Sequence, residues 1–516
     1  MNPIEKIKKE KNGLELLGEF PRLAAMHAND LSDDDKQRIK WLGFWHRKDG
    51  TLMTRIRVSG GVATSAQLRV IAGIAQEFGH DLVDITTRAQ IQLRYLSMQH
   101  IPIVFERLAS VGLSSLQTGM DSIRNVVTSS VTGICNDEVV NALPVVHQVS
   151  EWITNGLAGN AATADLPRKM NIHITGHKHD MGASTNDIGL YPARKDARLG
   201  FNVMVGGAVG GKVPRLASEL NVFVMPENVL EVVKGIVEIF DKEGPREERH
   251  KSRLKWLLTE WGEEKFRNEL ERHLKTTLET AGEDLRVAKP HLPLGVQRQK
   301  QAGLVYIGAH VPVGRTTGTA LLELADLADR FGTGEARFTI EQNILLPNVS
   351  LEEIVGALEH PFFATHTPYP SHLTEGVVSC TGIEFCSFAL IETKSRALEI
   401  SAQLQAEHLH ELPLAQPLRM HWSGCQHACS SHHIGDFGFQ GTKVKQDGVM
   451  VDAVDIFIGG QIGRNSKLAT KVADRVPLSQ AAARIAELAR EHLPEHFKPG
   501  FLEKRAKIQE LQAADD

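Results

Sequence analysis

The sequence predicts an α+β fold in which the chain is duplicated internally, with structural units in the order A-B-A′-B′. Two segments share a strand, a helix and a second strand at matched spacing, and two further segments share a glycine-marked strand pattern. A length of 516 residues is also too great for one hydrophobic core and favours two to four domains.

The composition is typical of a soluble globular protein, with 42% hydrophobic residues, 23% charged residues and a formal net charge of -5. This mild acidity gives no reason to expect nucleic acid as a partner, which usually requires a strongly basic face. No uninterrupted apolar stretch reaches the roughly 18 residues of a membrane span. The charged start of the chain argues against a secretory signal. We therefore predict a cytoplasmic protein with no membrane partner.

The two A units are predicted to be small α+β half-domains. Residues 54–61 (TRIRVSGG) and 304–314 (LVYIGAHVPVG) each form an extended stretch with a glycine turn, followed by an amphipathic helix and another strand. Thr87, Gln90 and Leu93 are matched with Thr339, Gln342 and Leu345. This match places the threonine 26 residues after the turn glycine in the first unit and 25 residues after it in the second.

The two B units share three strand-like segments but differ after the first of them. These segments lie at 167–176, 186–190 and 201–207 in B, and at 417–424, 435–439 and 454–460 in B′. After the shared glycine, B continues with His177-Lys-His-Asp and B′ with Cys425-Gln-His-Ala-Cys429. The sequence therefore predicts that a metal centre belongs to B′ alone.

Four of the five cysteines, Cys380, Cys386, Cys425 and Cys429, lie within 50 residues of one another. In a reducing cytosol such a group indicates metal binding or catalysis rather than disulfides. The spacing C-x5-C fits zinc sites poorly, and no C-x-x-C redox pair is present. A [4Fe-4S] cluster fits best, with zinc and buried free thiols as open alternatives. Cys135 stands apart and is predicted to be a small buried apolar side chain without a nearby partner.

The surroundings of the four cysteines support a cluster. Glycines beside Cys380 and Cys425 allow backbone N-H groups to approach the sulfurs. Helical periodicity in residues 387–400 predicts that Cys386 stands at the start of a helix, where the helix dipole favours a thiolate.

At these residues the chain resembles the siroheme and [4Fe-4S] nitrite/sulfite reductase family, and within it the assimilatory ferredoxin-nitrite reductases. The resemblance is carried by Cys380-Thr-Gly-x-x-Phe-Cys386, Ile391-Glu-Thr-Lys, C-x3-C and the doubled architecture, from about residue 40 to residue 463. It implies that the four thiolates hold the cluster and that Cys429 also ligates the siroheme iron. It further implies ferredoxin-like half-domains at 41–112 and 286–365, siroheme- and cluster-binding domains at 113–285 and 366–516, and an N-terminal extension at 1–40.

The resemblance also assigns residues to the substrate and to the siroheme. Arg88 in Thr-Thr-Arg, Arg124 in Arg-Asn and Lys169 in Leu-Pro-Arg-Lys are implied to contact the anionic substrate, although each alone would more often be a solvated charge. The siroheme contacts implied besides Cys429 are Arg55, Arg57, Arg88, Arg124, Gln342 and Asn343.

Asn171 bears on the choice of substrate. Sulfite reductases of the family tend to carry a lysine two residues after the Lys169 position, whereas nitrite reductases carry an asparagine. Nitrite is a monoanion and sulfite is partly a dianion near neutral pH, so a neutral amide favours nitrite. Glu384 stands where many nitrite reductases have glutamine, which keeps sulfite as the alternative substrate.

The resemblance implies a six-electron reduction of nitrite to ammonia. Electrons would enter at the cluster and cross the Cys429 sulfur, while Arg88, Arg124 and Lys169 hold the anion and deliver protons. The sequence has no G-x-G-x-x-G or P-loop motif, so a separate carrier such as ferredoxin is the expected donor. The rival hypothesis is a non-enzymatic iron-sulfur electron-transfer subunit.

Two further segments, a basic stretch and a histidine-rich loop, have no assigned role in the cluster or the substrate site. The basic residues 246–255 are interpreted as an ordinary solvated helix, with binding of an acidic carrier or of haem carboxylates as the alternative. The interior of C-x3-C, Gln426-His-Ala, and the following Ser430-Ser-His-His433 depart from the family pattern. We interpret this histidine-rich loop as tolerated surface variation.

Overall fold

The computed structural model describes residues 2–179, 182–288, 292–407 and 414–498. The chain forms two compact units. The first contains residues 1–209, 215–368 and 462–465, and the second contains residues 210–214, 369–461 and 466–516. Within the described ranges, every helix is too short or too polar to cross a membrane.

The helices and strands are numbered in chain order. The described α-helices are α1 (Pro3–Glu10), α2 (Phe20–Ala24), α3 (Asp33–Arg38), α4 (Ser65–Phe78), α5 (His100–Ala109), α6 (Leu143–Thr154), α7 (Val229–Glu243), α8 (Leu254–Leu274), α9 (Gly318–Phe331), α10 (Ile354–Leu358), α11 (Phe362–Thr365), α12 (Gly382–Phe385), α13 (Lys394–Glu407) and α14 (Ala481–His492). The strands of the first unit are β1 (Phe44–His46), β2 (Leu52–Ile56), β3 (Val62–Thr64), β4 (Leu82–Ile85), β5 (Ile91–Leu96), β6 (Ile123–Val127), β7 (Met170–Ile174), β8 (Ile188–Lys195), β9 (Arg198–Val205), β10 (Ser218–Val224), β11 (Glu283–Asp284), β12 (Gly295–Arg298), β13 (Leu304–Ala309), β14 (Arg315–Thr317), β15 (Glu335–Phe338) and β16 (Ile344–Ser350). The strands of the second unit are β17 (Val377–Ser379), β18 (Met420–Ser423), β19 (Phe437–Gln446), β20 (Val449–Ile458) and β21 (Thr470–Pro477).

The predicted α+β duplication is confirmed. Both A units contain a 14-residue helix, α4 or α9, between two strands. Each helix begins after a threonine whose hydroxyl accepts a hydrogen bond from the backbone N-H three residues on, at 3.2 Å for Thr64 and 3.0 Å for Thr317. The apolar faces of both helices pack in one hydrophobic core with the strands of both half-domains.

The two half-domains exchange a strand, which the sequence analysis did not predict. The sheets have the orders β1-β2-β5-β4-β14 and β12-β13-β16-β15-β3, so β3 completes the second sheet and β14 completes the first. The turns before these strands require glycine, because Gly61 and Gly314 have φ of +79° and +68°. A Cβ at Gly61 would also lie 2.4 Å from the Phe338 carbonyl oxygen. The exchange joins both half-domains into one packed structure.

The structure corrects the register in which the two A units were matched. In the first unit, Thr86 N donates to Gln90 O at 2.9 Å and Gln90 N donates to Thr86 Oγ1 at 3.1 Å. Thr339 and Asn343 make the same two bonds at 2.9 and 3.1 Å. Thr86, and not Thr87, is therefore the counterpart of Thr339. The shared letters Thr, Gln and Leu misled the alignment, because backbone hydrogen bonds rather than side-chain identities define this loop.

The corrected register sharpens the asymmetry between the half-domains. The threonine now follows the turn glycine by 25 residues in both units. Arg88 then corresponds to Glu341, so the cation assigned to the substrate has an acidic residue as its counterpart. The two copies have kept the loop and changed its charge.

Both B units have the same sheet topology. The order is β10-β9-β8-β7-β6 in the first unit and β17-β18-β19-β20-β21 in the second. In each sheet three strands run parallel, β6-β7-β8 or β17-β18-β19, and the remaining pairs are antiparallel. The carboxyl ends of the parallel strands therefore place their loops at one edge of each sheet.

Candidate functional site

The four cysteine thiols converge at the carboxyl ends of β17 and β18. Cys380 follows β17 directly, and Cys425 follows β18 after one glycine. These strands are parallel neighbours, with Ser379 paired with Trp422, so their loops meet at one edge. Gly424 N donates a hydrogen bond to Cys380 Sγ at 3.2 Å, which joins the two loops at a sulfur.

The thiols interact electrostatically as one group. Burial, followed by the neighbouring Cys429, raises the pKa of Cys380 to about 12. Burial also raises the pKa of Cys425 to about 11, with further contributions from Cys429 and Cys386. Thiols with such pKa values stay protonated on their own, whereas a coordinated cation would hold them as thiolates. Thiols that influence one another in this way fit a metal cluster better than separate buried thiols.

Glycines shape the cavity around the sulfurs. Gly382 has φ of +68°, and a Cβ there would lie 2.4 Å from the Glu392 carboxylate. A Cβ on Gly424 would lie 2.8 Å from the side chain of Ala389. These loops can approach so closely only because Gly382 and Gly424 have no side chains. A cluster requires such a compact arrangement of the residues around its thiols.

The prediction that Cys386 starts a helix is wrong. Cys386 follows the short helix α12, and the next helix, α13, begins only at Lys394. Residues between them use their backbone N-H groups elsewhere: Ala389 N donates to Cys386 O at 3.3 Å and Leu390 N donates to Gly424 O at 2.8 Å. One turn bond within the loop and one bond to the Gly424 loop therefore replace the helical hydrogen bonds that the periodicity had indicated.

The interpretation of the histidine-rich loop as surface variation fits the exposed Gln426 and His427 but is wrong for His432 and His433. His432 and His433 are buried, with exposed fractions of 0% and 7%, whereas Gln426 and His427 are exposed. The two histidine rings pack against Phe457, with ring centroids 5.2 and 5.0 Å away. His421 on β18 lies 2.8 Å from Ser430 O through Nδ1. The His432–His433 part of this loop is therefore packed against the sheet that carries the cysteine loops.

We predict that acid loosens this region because its histidines are held neutral. Burial lowers the pKa of His421 to about 4 and that of His433 to about 4, and it lowers the pKa of His432 to about 2. Histidine in an unfolded chain has a pKa near 6.5, so the unfolded chain binds more protons between about pH 6.5 and 4. Stability is therefore full above about pH 6.5 and falls as the pH is lowered through this range.

Hydrogen exchange of peptides from β18 to β20, corrected for the intrinsic rate, measures this loss. His432→Phe removes one such group, so its exchange is expected to accelerate at a lower pH than in the parent protein. His273→Phe replaces a histidine on α8 whose Nε2 lies 2.6 Å from Glu238 Oε2 and serves as the control. An identical pH dependence in parent and His432→Phe proteins would show that His432 does not contribute.

A second candidate site lies in the first unit, where four arginines meet. The pKa of Arg124 is held well below its usual value, first by burial and then by the like charges of Arg55, Arg88 and Arg168. Arg124 is 8% exposed, and its Nη2 donates to Met120 O at 2.9 Å. Within the described residues, its buried Nη1 has no hydrogen-bond partner. Buried like charges with a spare donor form a site for an anion.

Neighbouring polar groups position these arginines. Asn125 Nδ2 donates to Arg88 O at 3.0 Å and to Val58 O at 2.6 Å, which fixes the loop that carries Arg88. Arg57 donates to the backbone oxygens of Arg124, Gln117 and Ile123 at 2.8, 3.1 and 3.1 Å. Arg55 donates to Thr118 O at 3.2 Å and lies over the Trp45 ring at 4.6 Å. Sequence reasoning missed Asn125, although it follows Arg124 directly.

Lys169 and Asn171 lie at the start of β7, beside the strand that carries Arg124. Asn171 is 3% exposed, and its backbone N-H donates to Asp187 Oδ2 at 2.8 Å. Among the residues that the structure describes, none forms a hydrogen bond with Asn171 Oδ1. This buried oxygen can therefore accept a hydrogen bond from a donor group of a ligand.

Gln342 and Asn343 are buried in the second half-domain. Gln342 Nε2 donates to Ile85 O at 2.8 Å, on the strand before the Arg88 loop. Asn343 Oδ1 accepts from Val311 N at 3.0 Å and lies 3.1 Å from His310 Nδ1. Their side chains join loops within the first unit, and their assignment to a cofactor stays a prediction.

The prediction of a solvated helix for residues 246–255 is wrong. Only α8 from Leu254 onward is α-helical, and the arginines before it point to buried acids. Arg249 donates to both Asp121 oxygens at 2.7 and 2.9 Å, and Arg253 donates to both Asp187 oxygens at 3.0 and 2.7 Å. Both acids have exposed fractions of 0%. This segment supports the loops that carry the candidate anion-binding residues.

Asp121 is the centre of this support, and we predict a large cost for its neutralisation. Besides Arg249, it lies 3.2 Å from Lys8 Nζ and 3.3 Å from Arg168 Nη1. In Asp121→Asn three cations would lose their shared counter-charge. We expect the free energy of unfolding to fall by about 3–5 kcal/mol, as when one partner of a buried pair is removed.

Chemical denaturation measures this change. Glu279→Gln breaks the exposed pair with Arg198 and is expected to leave the transition unchanged. If Asp121→Asn unfolded at the same denaturant concentration as the parent, the network would have no net stabilising role.

Cys135 is not the isolated buried side chain that was predicted. It is half-buried, and its sulfur lies within 4.8 Å of a carboxylate oxygen of Asp137 and an imidazole nitrogen of His177. His177 is 42 residues from Cys135 and is brought close by the pairing of β6 with β7, so the sequence did not indicate it, whereas Asp137 is only two residues from Cys135.

Comparisons with known proteins agree with this description. The family model described as nitrite and sulphite reductase 4Fe-4S domain matches residues 119–278 and 374–501, and the one described as nitrite/sulfite reductase ferredoxin-like half domain matches residues 46–111 and 297–361. The ferredoxin–nitrite reductase of Synechococcus elongatus is 39% identical over 503 residues, covering 96% of this chain and 97% of the relative. The chloroplastic enzyme of the same name from Zea mays is 39% identical over 509 residues, covering 95% and 89%. The solved structure of the Mycobacterium tuberculosis NirA protein superposes with a TM-score of 0.90 at 27% identity, covering 96% and 94%.

Proposed function

Because the chain belongs to the nitrite and sulphite reductase family, we propose that it reduces nitrite to ammonia with electrons from ferredoxin or a similar low-potential carrier. The reaction consumes six electrons, together with the protons that form the N-H bonds of ammonia and convert both nitrite oxygens to water. The relatives named ferredoxin–nitrite reductase align over nearly the whole chain, which supports this reaction rather than a role in electron transfer alone.

The observation that carries the proposal is the group of four thiols after β17 and β18. Four cysteine thiolates are the usual ligands of a [4Fe-4S] cluster. Cys380, Cys386, Cys425 and Cys429 all lie inside the range matched by the 4Fe-4S domain model. Among the four, Cys429 is the exposed one, which suits a sulfur that also serves a second iron.

We propose siroheme as the second cofactor, and Cys429 would be among the residues that hold it. When bound, siroheme supplies a redox-active iron that accepts electrons from the cluster and binds nitrite. Its carboxylates need cations, and the buried guanidinium of Arg124 with its spare Nη1 fits that requirement. Arg55 and Gln342 are proposed as further contacts. Arg57 and Asn343 are proposed as contacts as well, and all four residues also bind backbone or neighbouring groups.

Arg88, Arg124 and Lys169 are proposed to bind nitrite. A monoanion gains from donors that are fixed in place and shielded from water, because such donors need little reorganisation as charge develops. The arginine side chains orient the oxygens of nitrite by hydrogen bonds, and Lys169 Nζ is the group that can release a proton to an oxygen as an N-O bond breaks. Asn125 and Arg57 hold the backbone of this set in place.

Asn171 is proposed to favour nitrite over sulfite. Its Nδ2 amide can donate a hydrogen bond to an anion without adding charge. We predict that Asn171→Lys raises kcat/KM for sulfite relative to nitrite by roughly tenfold, the effect of about 1.4 kcal/mol of differential binding. An unchanged ratio in this variant would remove Asn171 from the basis of selectivity.

Turnover of both anions with reduced ferredoxin tests the proposed function. We expect a higher kcat/KM for nitrite than for sulfite, ammonia as the product, and siroheme absorption bands in the purified protein. Equal or faster sulfite turnover would move the assignment to sulfite reduction. Absence of siroheme bands in a fully reconstituted sample would overturn the enzyme assignment.

Two predictions from the sequence stand as part of the proposal, the cytoplasmic location and the domain boundaries at residues 1–40, 41–112, 113–285, 286–365 and 366–516. We propose in addition that the protein is a monomer. Light scattering on the purified protein tests the monomeric state, because a dimer would double the 56.9 kDa mass of the chain.

A further inference from the structure

Cys135, Asp137 and His177 form a group of potential metal ligands in the first unit. One ligand atom from each, the thiol sulfur, a carboxylate oxygen and an imidazole nitrogen, lies within 4.8 Å of the other two. His177 is 2% exposed, Cys135 is half-buried and Asp137 is exposed. His179 Nε2 lies 3.8 Å from Asp137 Oδ2, so a fourth donor is close to the same carboxylate.

Backbone hydrogen bonds place Cys135 at the position that Cys386 holds in the other B unit. Glu138 N donates to Cys135 O at 3.4 Å, and Ala389 N donates to Cys386 O at 3.3 Å. Both bonds join residues three apart, in the loops after β6 and β17. The loop turns in the same way around both cysteines.

The next residue of each loop completes the match. Val139 N donates to Gly176 O at 2.7 Å, and Leu390 N donates to Gly424 O at 2.8 Å. His177 follows Gly176, as Cys425 follows Gly424. His177 therefore corresponds to Cys425, so two positions that hold cluster thiols in B′ carry a thiol and an imidazole in B.

The loops of this group are held in place before any ion binds. The Glu138 carboxylate accepts from Gly133 N at 2.9 and 2.8 Å and from the Thr132 hydroxyl, and it pairs with Lys300 at 3.0 Å. Lys178 N donates to Asp137 O at 3.2 Å, which joins the Cys135 loop to the His177 loop. Because Glu138 already has these donors, it belongs to the support of the group and not to its ligands.

The donor set selects the kind of ion. One thiolate, one carboxylate and one imidazole are the ligand types of Zn²⁺, and the two negative charges would balance a dication. A [4Fe-4S] cluster needs four thiolates, whereas Cys135 is the one cysteine of the sequence outside residues 380–429. The exposed Asp137 gives the ion a path from solvent.

We propose that Cys135, Asp137 and His177 bind a single thiophilic divalent cation of the zinc class, at the counterpart of the cluster position. The ion would tie the loop after β6 to the loop after β7. These strands carry Arg124 and Asn171, so the ion would stabilise the part of the sheet that bears the candidate anion site. This inference rests on the geometry of the first unit and not on the proposed function.

Zinc retention by the holoprotein tests the proposal. The purified protein is incubated with Zn²⁺ alone, dialysed, and analysed for zinc and iron per chain and by X-ray absorption at the zinc edge. We expect about one zinc per chain with one sulfur at about 2.3 Å and nitrogen or oxygen ligands at about 2.0–2.2 Å. Zinc bound to vacated cluster cysteines would instead show several sulfur ligands and a loss of iron, which would overturn the proposal.

Variants separate the ligands from their surroundings. We expect zinc binding to weaken at least about tenfold in each of the variants Cys135→Ser, His177→Gln and Asp137→Asn. Loss of a residue that only supports a metal ligand already weakens binding by about this factor. His273→Gln removes a histidine of the same unit outside the group and should bind zinc as the parent does. Asp137 is exposed, so Asp137→Asn keeps the test valid if the buried variants fail to fold. Undiminished zinc binding in Asp137→Asn and Cys135→Ser, or no zinc retained by the parent, would refute the site.

Discussion

Cys380→Ser is expected to abolish the iron-sulfur cluster and, with it, ferredoxin-dependent reduction of nitrite. Cys380 is the thiol whose sulfur accepts a hydrogen bond from Gly424 N at 3.2 Å, at the junction of the two cysteine loops. Serine keeps the size of the side chain but supplies an alcohol, which is a poor ligand for iron in place of a thiolate. Iron analysis should show about four cluster irons per chain in the parent protein and a large loss in the variant.

Cys135→Ser is the matched control for this experiment. It makes the same substitution in the other B unit, at the position equivalent to Cys386, and should leave the cluster iron at parent levels, because the four cluster cysteines lie in the second unit. Full cluster iron in Cys380→Ser would contradict the assignment of the four thiols. Equal loss of cluster iron in both variants would show that cysteine replacement acts through stability rather than ligation.

Arg124→Met is expected to lower kcat/KM for nitrite by roughly 10²–10³-fold, the effect of removing one preorganised donor from a site of developing charge. Methionine is an unbranched side chain that can fill the space of the buried stem without the positive charge. The iron of the cluster should be retained, because Arg124 lies in the first unit and the four cysteines lie in the second. Steady-state kinetics over a range of nitrite concentrations, with reduced ferredoxin in excess, measures the change.

Arg198→Met tests whether the effect depends on the position of the charge. Arg198 belongs to the same unit, is partly exposed and pairs with Glu279 at 2.6 Å, so its loss should leave kinetic constants unchanged. Parent-like kcat/KM in Arg124→Met would remove this residue from the substrate site. A loss of kcat with unchanged KM would indicate action after binding, whereas a raised KM indicates a role in holding the anion.

Much of the fold was predictable because its signals are local. The helices α4 and α9 follow from apolar periodicity and a threonine at the start of each. The group of four thiols follows from cysteine count and spacing. The order of units follows from a repeat that is recognised by its turn glycines and strand patterns. These are shared by the two copies even where other side chains differ.

The features that sequence reasoning missed depend on contacts between distant residues. The exchanged strands β3 and β14 have three residues each, too few for periodicity to indicate a strand. The register of the A units is set by backbone hydrogen bonds of Thr86 and Thr339. Such bonds cannot be recognised from the identities of the neighbouring residues. The partners of Arg249 and Arg253 are acids 128 and 66 residues away in the sequence. The basic segment 246–255 was therefore predicted to be a solvated helix.

The sequence indicated the residues that would bind a cluster or an anion, but not the buried residues that hold them in place. Cysteines, arginines and a lysine were identified as candidates because their chemistry suits a cluster and an anion. Asp121, Asn125 and Asp187 were not, although they are buried and hold the candidate loops in place. A carboxylate or an amide in the sequence has no mark that distinguishes burial in a network from exposure to water.

The central claim, that this chain is a six-electron nitrite reductase, is tested most directly by counting electrons. A known amount of nitrite is added to the holoprotein with an excess of reduced ferredoxin, and oxidised ferredoxin and ammonia are measured at completion. We expect six ferredoxin molecules oxidised and one ammonia formed for each nitrite, because ferredoxin carries one electron at a time. Fewer electrons per nitrite with a product other than ammonia, or no oxidation of ferredoxin by nitrite, would contradict the account.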